Sequence, residues 1–201
     1  MADTDLLALA ECQDKLGVSG DVDLVILQGY ITAASAKVDS LCGPVVARSV
    51  TEQIDGGTPT ITLSDVPVLD ISDLQEWDGT SVTSIAEELP FAFPVPIIPT
   101  NGYIVDLRSG VVRRRQSGSD GWFPAGRSNV LALYQAGRVD TTADVPAQFR
   151  EAAFMIVDRL WRLYQATGTS TYGTDGWVPA RAVPPMVDEL LAAELLPPAV
   201  A

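Results

Sequence analysis

The chain has 201 residues, with 26 acidic and 13 basic side chains, a formal net charge of −13 and no histidine. This length can bury the core of one ordinary domain, and 47% hydrophobic with 19% charged residues is typical of a globular protein. Without histidine the chain lacks the usual general base and the commonest metal ligand, and Cys12 and Cys42 form no CxxC pair. We therefore predict no enzyme, no cofactor, no metal site and two buried, reduced thiols.

Charge is distributed unevenly along the chain. Residues 1–100 carry 16 acidic and 3 basic side chains, whereas residues 101–201 carry 10 of each. This asymmetry suggests complementary surfaces, with ordinary solvated acid as an equal alternative. The acidic N-terminus lacks the basic region of a signal peptide, and the longest charge-free helical run is too short to span a bilayer. We expect a soluble protein that is made and kept in the cytoplasm.

Helical periodicity dominates the first 42 residues. A first helix over 5–16 is expected, capped by Asp3 or Thr4 and ended by Gly17, and a second begins with Asp21 as its N-cap. These helices should form an antiparallel pair over 5–42. The second helix carries an apolar stripe with spacings of three and four, formed by Leu24, Leu27, Ile31, Ala34, Val38 and Leu41.

The pattern then changes to β-strands, over a predicted insertion at 45–135. β-branched runs flank Gly56 and Gly57, which predicts a hairpin, and a later strand should turn at Asp78-Gly79. The run "YIVDLRSGVV" predicts a second hairpin, with Gly110 in a left-handed position, and "NVLALYQAG" predicts a further strand.

A proline-rich stretch interrupts this region. Five large hydrophobes and four prolines lie within "PFAFPVPIIP", which fits neither a helix nor a regular strand. We predict an extended arm that forms a contact surface, or, equally, packs on its own domain. Its contact residues would be Phe91, Phe93, Ile97 and Ile98.

Arg113, Arg114 and Arg115 form a basic cluster at the end of the predicted hairpin, near Trp122. Strand alternation sends the first and third to one face and the second to the other. Such a cluster could bind phosphate or nucleic acid, but the net negative charge opposes that use and no wider basic face supports it. Because arginine pairs well with carboxylates at protein interfaces, we expect a subunit or partner interface or a channel rim, with head-to-tail contacts that form rings or filaments.

A long helix is predicted over 146–166. Two adjacent apolar stripes cover roughly 200° of its circumference, about twice the minimum for a surface helix. Such a helix is central in the core or also buried against another chain, so Phe154 and Trp161 are further candidates for the interface. Residues 169–201 are expected to form an extended arm with a short last helix, "MVDELLAAELL".

The order of these features resembles the head–tail connector (adaptor) proteins of tailed double-stranded DNA bacteriophages and prophages. The resemblance rests on the N-terminal helix pair, the "YIVDLRSGVVRR" hairpin, the "NVLALYQAGR" strand and the helix in "VPAQFREAAFMIVDRLWRLYQATG". It implies a structural virion protein of the neck, assembled in the host bacterial cytoplasm. Members form a homo-oligomeric ring, twelve-fold in virions, beneath the portal protein.

The same resemblance implies the partners. The ring extends the channel through which genomic DNA passes without specific binding, and it offers a platform to a head-closure (stopper) or tail protein. The C-terminal segment of relatives tends to dock on the portal, which by position implicates Met186, Leu190 and Leu191. The proline-rich arm is an insertion relative to shorter members.

The expected fold is therefore α+β, a helical bundle with an inserted antiparallel β-rich region. A connector domain would span 1–168, followed by the arm at 169–201. Two alternatives stay open: another neck or tail-completion protein of the same virion, and a nucleic-acid-binding module that uses Arg113–Arg115 and Trp122.

Overall fold

A computed structural model describes residues 4–88, 101–168 and 183–195, and the chain divides into two units. The first unit combines both ends of the chain, 1–46 and 139–201, and the second is the continuous segment 47–138. The described elements of the first unit are helices, and those of the second are strands. The protein is therefore a mixed α+β protein.

The helical unit contains four described α-helices, and its core lies between them. Leu27, Ile31, Ala34 and Val38 are completely buried, which confirms the apolar stripe predicted for the second helix. Cys12 and Cys42 are buried thiols, as predicted, and burial is the main cause that raises the pKa of Cys12 to about 11. The helices are α1 (Leu9–Leu16), α2 (Asp21–Cys42), α3 (Ala147–Gly168) and α4 (Pro185–Leu190), with a 3-10 turn at Thr142–Asp144.

The start of the first helix differs from the prediction. Helix α1 begins at Leu9 with Ala8 as its N-cap, not at residue 5 with a cap from Asp3 or Thr4. The reason is tertiary: Leu6 is buried, and its backbone N–H donates to Ser35 Oγ on α2 at 3.0 Å. The start of α2 is also corrected, since its N-cap is Gly20 and Asp21 is the first helical residue.

The β unit consists of two sheets with a shared core. One sheet has the strand order β1-β9-β3-β4, and the other has the order β2-β7-β6-β5, with β8 paired to β7. All pairs are antiparallel except β5 with β6. The strands are β1 (Arg48–Ile54), β2 (Thr60–Thr62), β3 (Val68–Trp77), β4 (Val82–Ser84), β5 (Ala86–Glu87), β6 (Asn101–Asp106), β7 (Val111–Gln116), β8 (Ser119–Asp120) and β9 (Val130–Ala136).

Two of the predicted turns are confirmed. Strands β6 and β7 form the expected hairpin, in which Gly110 has a φ of 68°. Strands β3 and β4 turn at Asp78-Gly79, where Asp78 Oδ1 accepts hydrogen bonds from the backbone N–H groups of Thr80 and Ser81, both at 2.8 Å. Local turn chemistry was therefore sufficient to locate both of these connections.

The hairpin predicted at Gly56-Gly57 is wrong. Strand β1 pairs with β9 and strand β2 pairs with β7, so the two runs belong to different sheets. The backbone N–H of Gly56 donates to Asn129 Oδ1 at 2.8 Å. A Cβ on Gly56 would lie 2.1 Å from the carbonyl oxygen of Pro124, so glycine is required here by a close approach to another segment.

Candidate interaction site: the arginine cluster and the base of the proline-rich segment

Strand β7 carries the three consecutive arginines, and the burial of their side chains alternates as predicted. Arg113 is exposed, Arg114 is buried and Arg115 is half-buried. The register of the β6–β7 hairpin places Arg113 opposite Ile104 and Arg115 opposite Gly102. One arginine therefore faces into the β unit, whereas its two neighbours lie on the outer face of the sheet.

Arg114 is bound entirely within the β unit. Its Nε and Nη2 donate to the two carboxylate oxygens of Glu76 at 2.9 and 2.7 Å, and the exposed fractions of the two side chains are only 3% and 10%. Nη1 donates to the carbonyl oxygens of Gly102 and Arg115, and Nη2 also donates to Asn101 Oδ1 at 3.2 Å. These bonds use all five guanidinium donors, so Arg114 has none left for another chain and leaves the set of expected interface residues.

Arg115 connects three parts of the same sheet. Its Nε lies 3.1 Å from Glu88 Oε2, its Nη1 lies 2.6 Å from Asp120 Oδ1, and its Nη2 donates to the carbonyl oxygen of Gly118. The hydrogen bonds to Glu88 and then Asp120 raise the pKa of Arg115. Arg115 therefore also has internal partners, although its side chain is 21% exposed.

These two arginines hold both ends of the proline-rich segment 89–100. Glu88 directly precedes that segment and binds Arg115, while Asn101 directly follows it and binds Arg114. The backbone N–H of Glu88 also donates to the carbonyl oxygen of Tyr103 at 2.7 Å, which continues the short parallel pairing of β5 with β6. The cluster is therefore an arginine clamp, by which we mean Arg114 and Arg115 with Glu76, Glu88 and Asn101.

Sequence reasoning found the arginines and the proline-rich segment but not the clamp that joins them. The predicted contact residues of that segment, Phe91, Phe93, Ile97 and Ile98, lie outside the described residues. Glu88 was a usable signal, because an acidic residue directly before an uncharged segment can anchor it to a basic strand. Glu76 gave no such signal, since its pairing depends on how the two sheets meet.

Arg113 has a different environment from its neighbours. It is exposed and makes no ion pair with any residue of the described ranges. It borders an open groove of about 410 Å³ on the outer face of the β6–β7 hairpin. Asp106 at this groove accepts hydrogen bonds from Ser109 Oγ at 2.6 Å and the Arg108 N–H at 3.1 Å, which lower the pKa of its carboxyl. The groove is lined by Ile104, Val105, Asp106, Ser109, Val111 and Arg113.

The other predicted interface residues differ in how accessible they are. Trp161 is 5% exposed in the helical core, and its ring centroid lies 5.4 Å from that of Tyr164. Phe154 is half-buried, with Lys15 Nζ 4.4 Å from its ring centroid. Leu191 is completely buried, so within its unit it serves the core rather than the surface.

The C-terminal helix keeps two accessible apolar side chains. Met186 is 62% exposed and Leu190 is 39% exposed on α4. Of the three residues expected to dock on a portal, these two are available to a partner.

The described surface carries side chains of the kinds that are found at contacts between proteins. Among the described residues no group of three or more histidine, cysteine, aspartate or glutamate side chains could hold a metal ion. No helix within the described ranges has the length and apolarity needed to cross a membrane. What the described surface offers is an exposed arginine, an apolar groove and exposed apolar side chains, which are features of protein contacts.

Comparison with solved structures gives the fold a context. The chain is similar to a chain in the neck of an empty gene transfer agent (GTA) particle computed with C6 symmetry, with 17% identity, a TM-score of 0.58, and coverage of 97% of this chain and 92% of that one. It is also similar to a chain in the virion of a native GTA particle, with 17% identity, a TM-score of 0.53, and coverage of 94% and 89%.

A third similar chain comes from the neck of a native GTA particle computed with C12 symmetry, with 14% identity, a TM-score of 0.51, and coverage of 96% and 90%. No protein-family model matches the chain, and no curated protein does. The protein therefore shares its fold, over nearly its whole length, with chains of phage-like particles. The resemblance to neck proteins seen in the sequence is confirmed at the level of the fold.

Proposed function

We propose that the protein is a head-to-tail adaptor of a phage or phage-like particle. In this role about twelve copies form a ring beneath the portal protein, extend the channel through which DNA passes, and present a platform for the next neck or tail protein. The protein acts by binding and catalyses no reaction. Assembly takes place in the cytoplasm of the host bacterium, and the finished ring belongs to the virion.

The likeness to GTA neck chains carries this proposal. It extends over 97% of the chain and 92% of the neck chain, so it includes both the helical and the β units. The two similar necks were computed with C6 and C12 symmetry, which supports a cyclic assembly for a chain with this fold. Heterologous contacts between copies close into such rings when the rotation between neighbours permits.

Charge supports a head-to-tail contact between copies. The helical unit, 1–46 with 139–201, has 15 acidic and 6 basic residues, whereas the β unit has 11 and 7. Arg113 is an exposed cation without an internal ion pair in the described ranges. We assign Arg113 and its groove to the contact with an acidic surface of the adjacent copy, with half-buried Phe154 as a further candidate, and the exposed Met186 and Leu190 to the portal.

The test is the mass of the complex by light scattering, for the protein alone and after mixing with its portal. We expect a ring-sized increase with the portal, which Arg113→Glu weakens. Arg127→Glu is the matched control, because Arg127 is also exposed on the β unit and the charge change is identical. A protein that joins the assembled tail but not the isolated portal would instead be another neck or tail-completion protein.

The contacts of the arginines argue against the alternative of a nucleic-acid-binding module. Of the three consecutive arginines, Arg114 and Arg115 are bound to carboxylates, so within the described ranges Arg113 alone among them is exposed without such a partner. DNA binding by such a patch would be weak in a chain with a net charge of −13. Tight DNA binding that falls steeply with salt would contradict the adaptor proposal.

A further inference from the structure

The four-stranded sheet has an apolar patch on the face that points away from the core of the β unit. Trp77 on β3 and Val82 on β4 are cross-strand partners, and they are 51% and 64% exposed. Leu131 on β9 lies opposite Gln75, which is two residues before Trp77 and hence on the same face. Leu133 follows on that face of β9. We call Trp77, Val82, Leu131 and Leu133 the outer-face patch.

These four side chains do not belong to the core of the β unit. Leu131 and Leu133 are half-buried, and neither is among the residues that form or border the core. The alternate positions of the same strand, Val130, Ala132 and Tyr134, form that core instead. Strand β9 lies in the interior of its sheet and carries apolar side chains on both faces, as strands buried on both sides do. A second layer packed on the outer face would bury Leu131 and Leu133.

The surroundings of the patch are polar, and they include the carboxylate of Asp73, which lies opposite Leu133. Gln53 and Gln75 flank Leu131 on the two neighbouring strands. Asp73 is the nearby acid, and its carboxylate accepts hydrogen bonds from Gln75 Nε2 at 2.5 Å and from Ser84 Oγ at 2.6 Å. A ligand for this face is therefore apolar and carries no acidic side chain, because a second carboxylate would be repelled by Asp73.

The chain itself contains a segment with these properties. Residues 89–100 include no charged side chain, four prolines, and the large apolar residues Leu89, Phe91, Phe93, Val95, Ile97 and Ile98. Proline-rich segments form a polyproline helix at little entropic cost, and they bind surfaces that present aromatic side chains. The Pro96–Pro99 stretch has the PxxP spacing of such ligands, and Trp77 supplies the aromatic surface.

The arginine clamp determines how far the segment reaches. The flanking residues Glu88 and Asn101 are both fixed to neighbouring arginines, so the twelve residues between them begin and end at the same sheet. Six residues, half of that length, span roughly 18 Å as a polyproline helix, which sets the distance over which the segment can reach an adjacent copy. Within the described residues Trp77 and Val82 remain exposed, so the patch is open to an occupant from an adjacent copy.

We propose that the proline-rich segment 89–100 of one copy docks on the outer-face patch of a neighbouring copy. The inference relies on the proposed ring only to bring copies together. The contact joins two different surfaces, the segment and the patch. Each copy therefore inserts its segment into one neighbour and accepts on its patch the segment of the other. It is thus a heterologous contact that can be repeated around a ring.

The test uses a fluorescently labelled synthetic peptide of residues 88–101 and the full-length protein, with binding measured by fluorescence anisotropy. We expect a dissociation constant of about 0.1–1 mM, typical of a small contact that gains strength only when repeated in an assembly. Trp77→Ser combined with Val82→Ser should weaken binding about tenfold, since an exposed aromatic anchor is lost. Trp122→Ser is the matched control, because Trp122 is 67% exposed in the same unit but lies outside the patch.

Two outcomes would overturn the inference. One is a peptide that does not bind the wild-type protein at millimolar concentration. The other is equal binding by the wild type and the Trp77/Val82 variant. A second peptide, with Phe91 and Phe93 changed to serine, should bind more weakly than the first if the apolar side chains carry the contact. These measurements need no ring, so a protein that joins its portal while the peptide fails would refute this inference and leave the adaptor role intact.

Discussion

Arg114 and Glu76 form a bidentate ion pair between the two sheets of the β unit, although they are 38 residues apart in the chain. Burial removes both charges from water, so each ion depends on the other. Arg114 also binds Gly102 and Asn101 beside the proline-rich segment. The pair therefore links the packing of the sheets to the base of a predicted contact arm.

Removing one partner of this pair should destabilise the β unit strongly. We expect Arg114→Met to lower the free energy of unfolding by about 3–5 kcal/mol, because Glu76 would then be buried without its cation. The double variant Arg114→Met with Glu76→Leu should recover at least half of this loss. Urea unfolding of the four members of this cycle gives the comparison. Arg113→Ser, at an exposed position, should change stability by less than about 0.5 kcal/mol, and a loss as large as that of Arg114→Met would refute the assignment.

The arginine clamp should also protect the proline-rich segment from proteolysis. Chymotrypsin can cleave after Phe91, whereas Phe93 is followed by Pro94, which blocks cleavage. Arg115→Ser removes the contact with Glu88, so we expect cleavage after Phe91 to become several times faster at unchanged global stability. Mass spectrometry of timed digests measures the rate. Arg113→Ser is the control on the same strand, and equal rates in the two variants would show that Arg115 does not restrain the segment.

Local features explain what was predictable from the sequence. The stripe on α2 and the β6–β7 hairpin were found because their periodicity and turn residues act within about twenty residues. The alternation of Arg113, Arg114 and Arg115 followed from strand geometry alone. By contrast, the pairing of Arg114 with Glu76 depends on two sheets meeting face to face, which no local pattern encodes. The sequence likewise could not show which apolar side chains near the C-terminal helix are accessible. Leu191 is buried and Met186 is exposed because of tertiary packing.

The hairpin predicted at Gly56 was wrong because glycine occurs in two different structural situations. Glycine is favoured both in tight turns and where another backbone comes close, and the two cases look alike in a sequence. Here the second case holds, because Gly56 lies against Pro124 and Asn129. The predicted start of α1 was wrong for a related reason. Leu6 and Leu7 are buried against other elements, and this packing outweighs local helix propensity.

Two glycine substitutions should have opposite effects on stability. Gly56→Ala places a Cβ 2.1 Å from the Pro124 carbonyl oxygen and should lower the free energy of unfolding by about 2 kcal/mol or more. Gly29→Ala on α2 meets nothing within 4 Å and should raise it by roughly 0.5–1 kcal/mol, because alanine favours a helix. Urea midpoints measure both changes. A neutral Gly56→Ala would mean that residues 124–129 do not lie against this glycine.

Protonation of Glu11 should weaken the helical unit at acid pH. Burial raises the pKa of Glu11, but hydrogen bonds and charges from Lys15 and Arg150 outweigh it, so the pKa is lowered from 4.5. A depressed folded-state pKa means that the stabilisation is present above about pH 4.5 and is lost as the pH falls through the folded value. Lys15 Nζ lies 3.3 Å from Glu11 Oε1, and Arg150 Nη2 donates to Oε2.

Comparison of Glu11→Gln with the wild type isolates this contribution. We expect the variant to be less stable by about 0.5–1 kcal/mol near pH 7, as for a partly exposed ion pair, and the difference to shrink towards zero near pH 3. Urea midpoints at a series of pH values supply the curve. Asp158→Asn is the control: its partner Arg162 is 72% exposed, so the loss should stay below about 0.5 kcal/mol. A Glu11→Gln deficit that is the same at both ends of the pH range would mean that the carboxylate charge contributes nothing to this contact between α1 and α3.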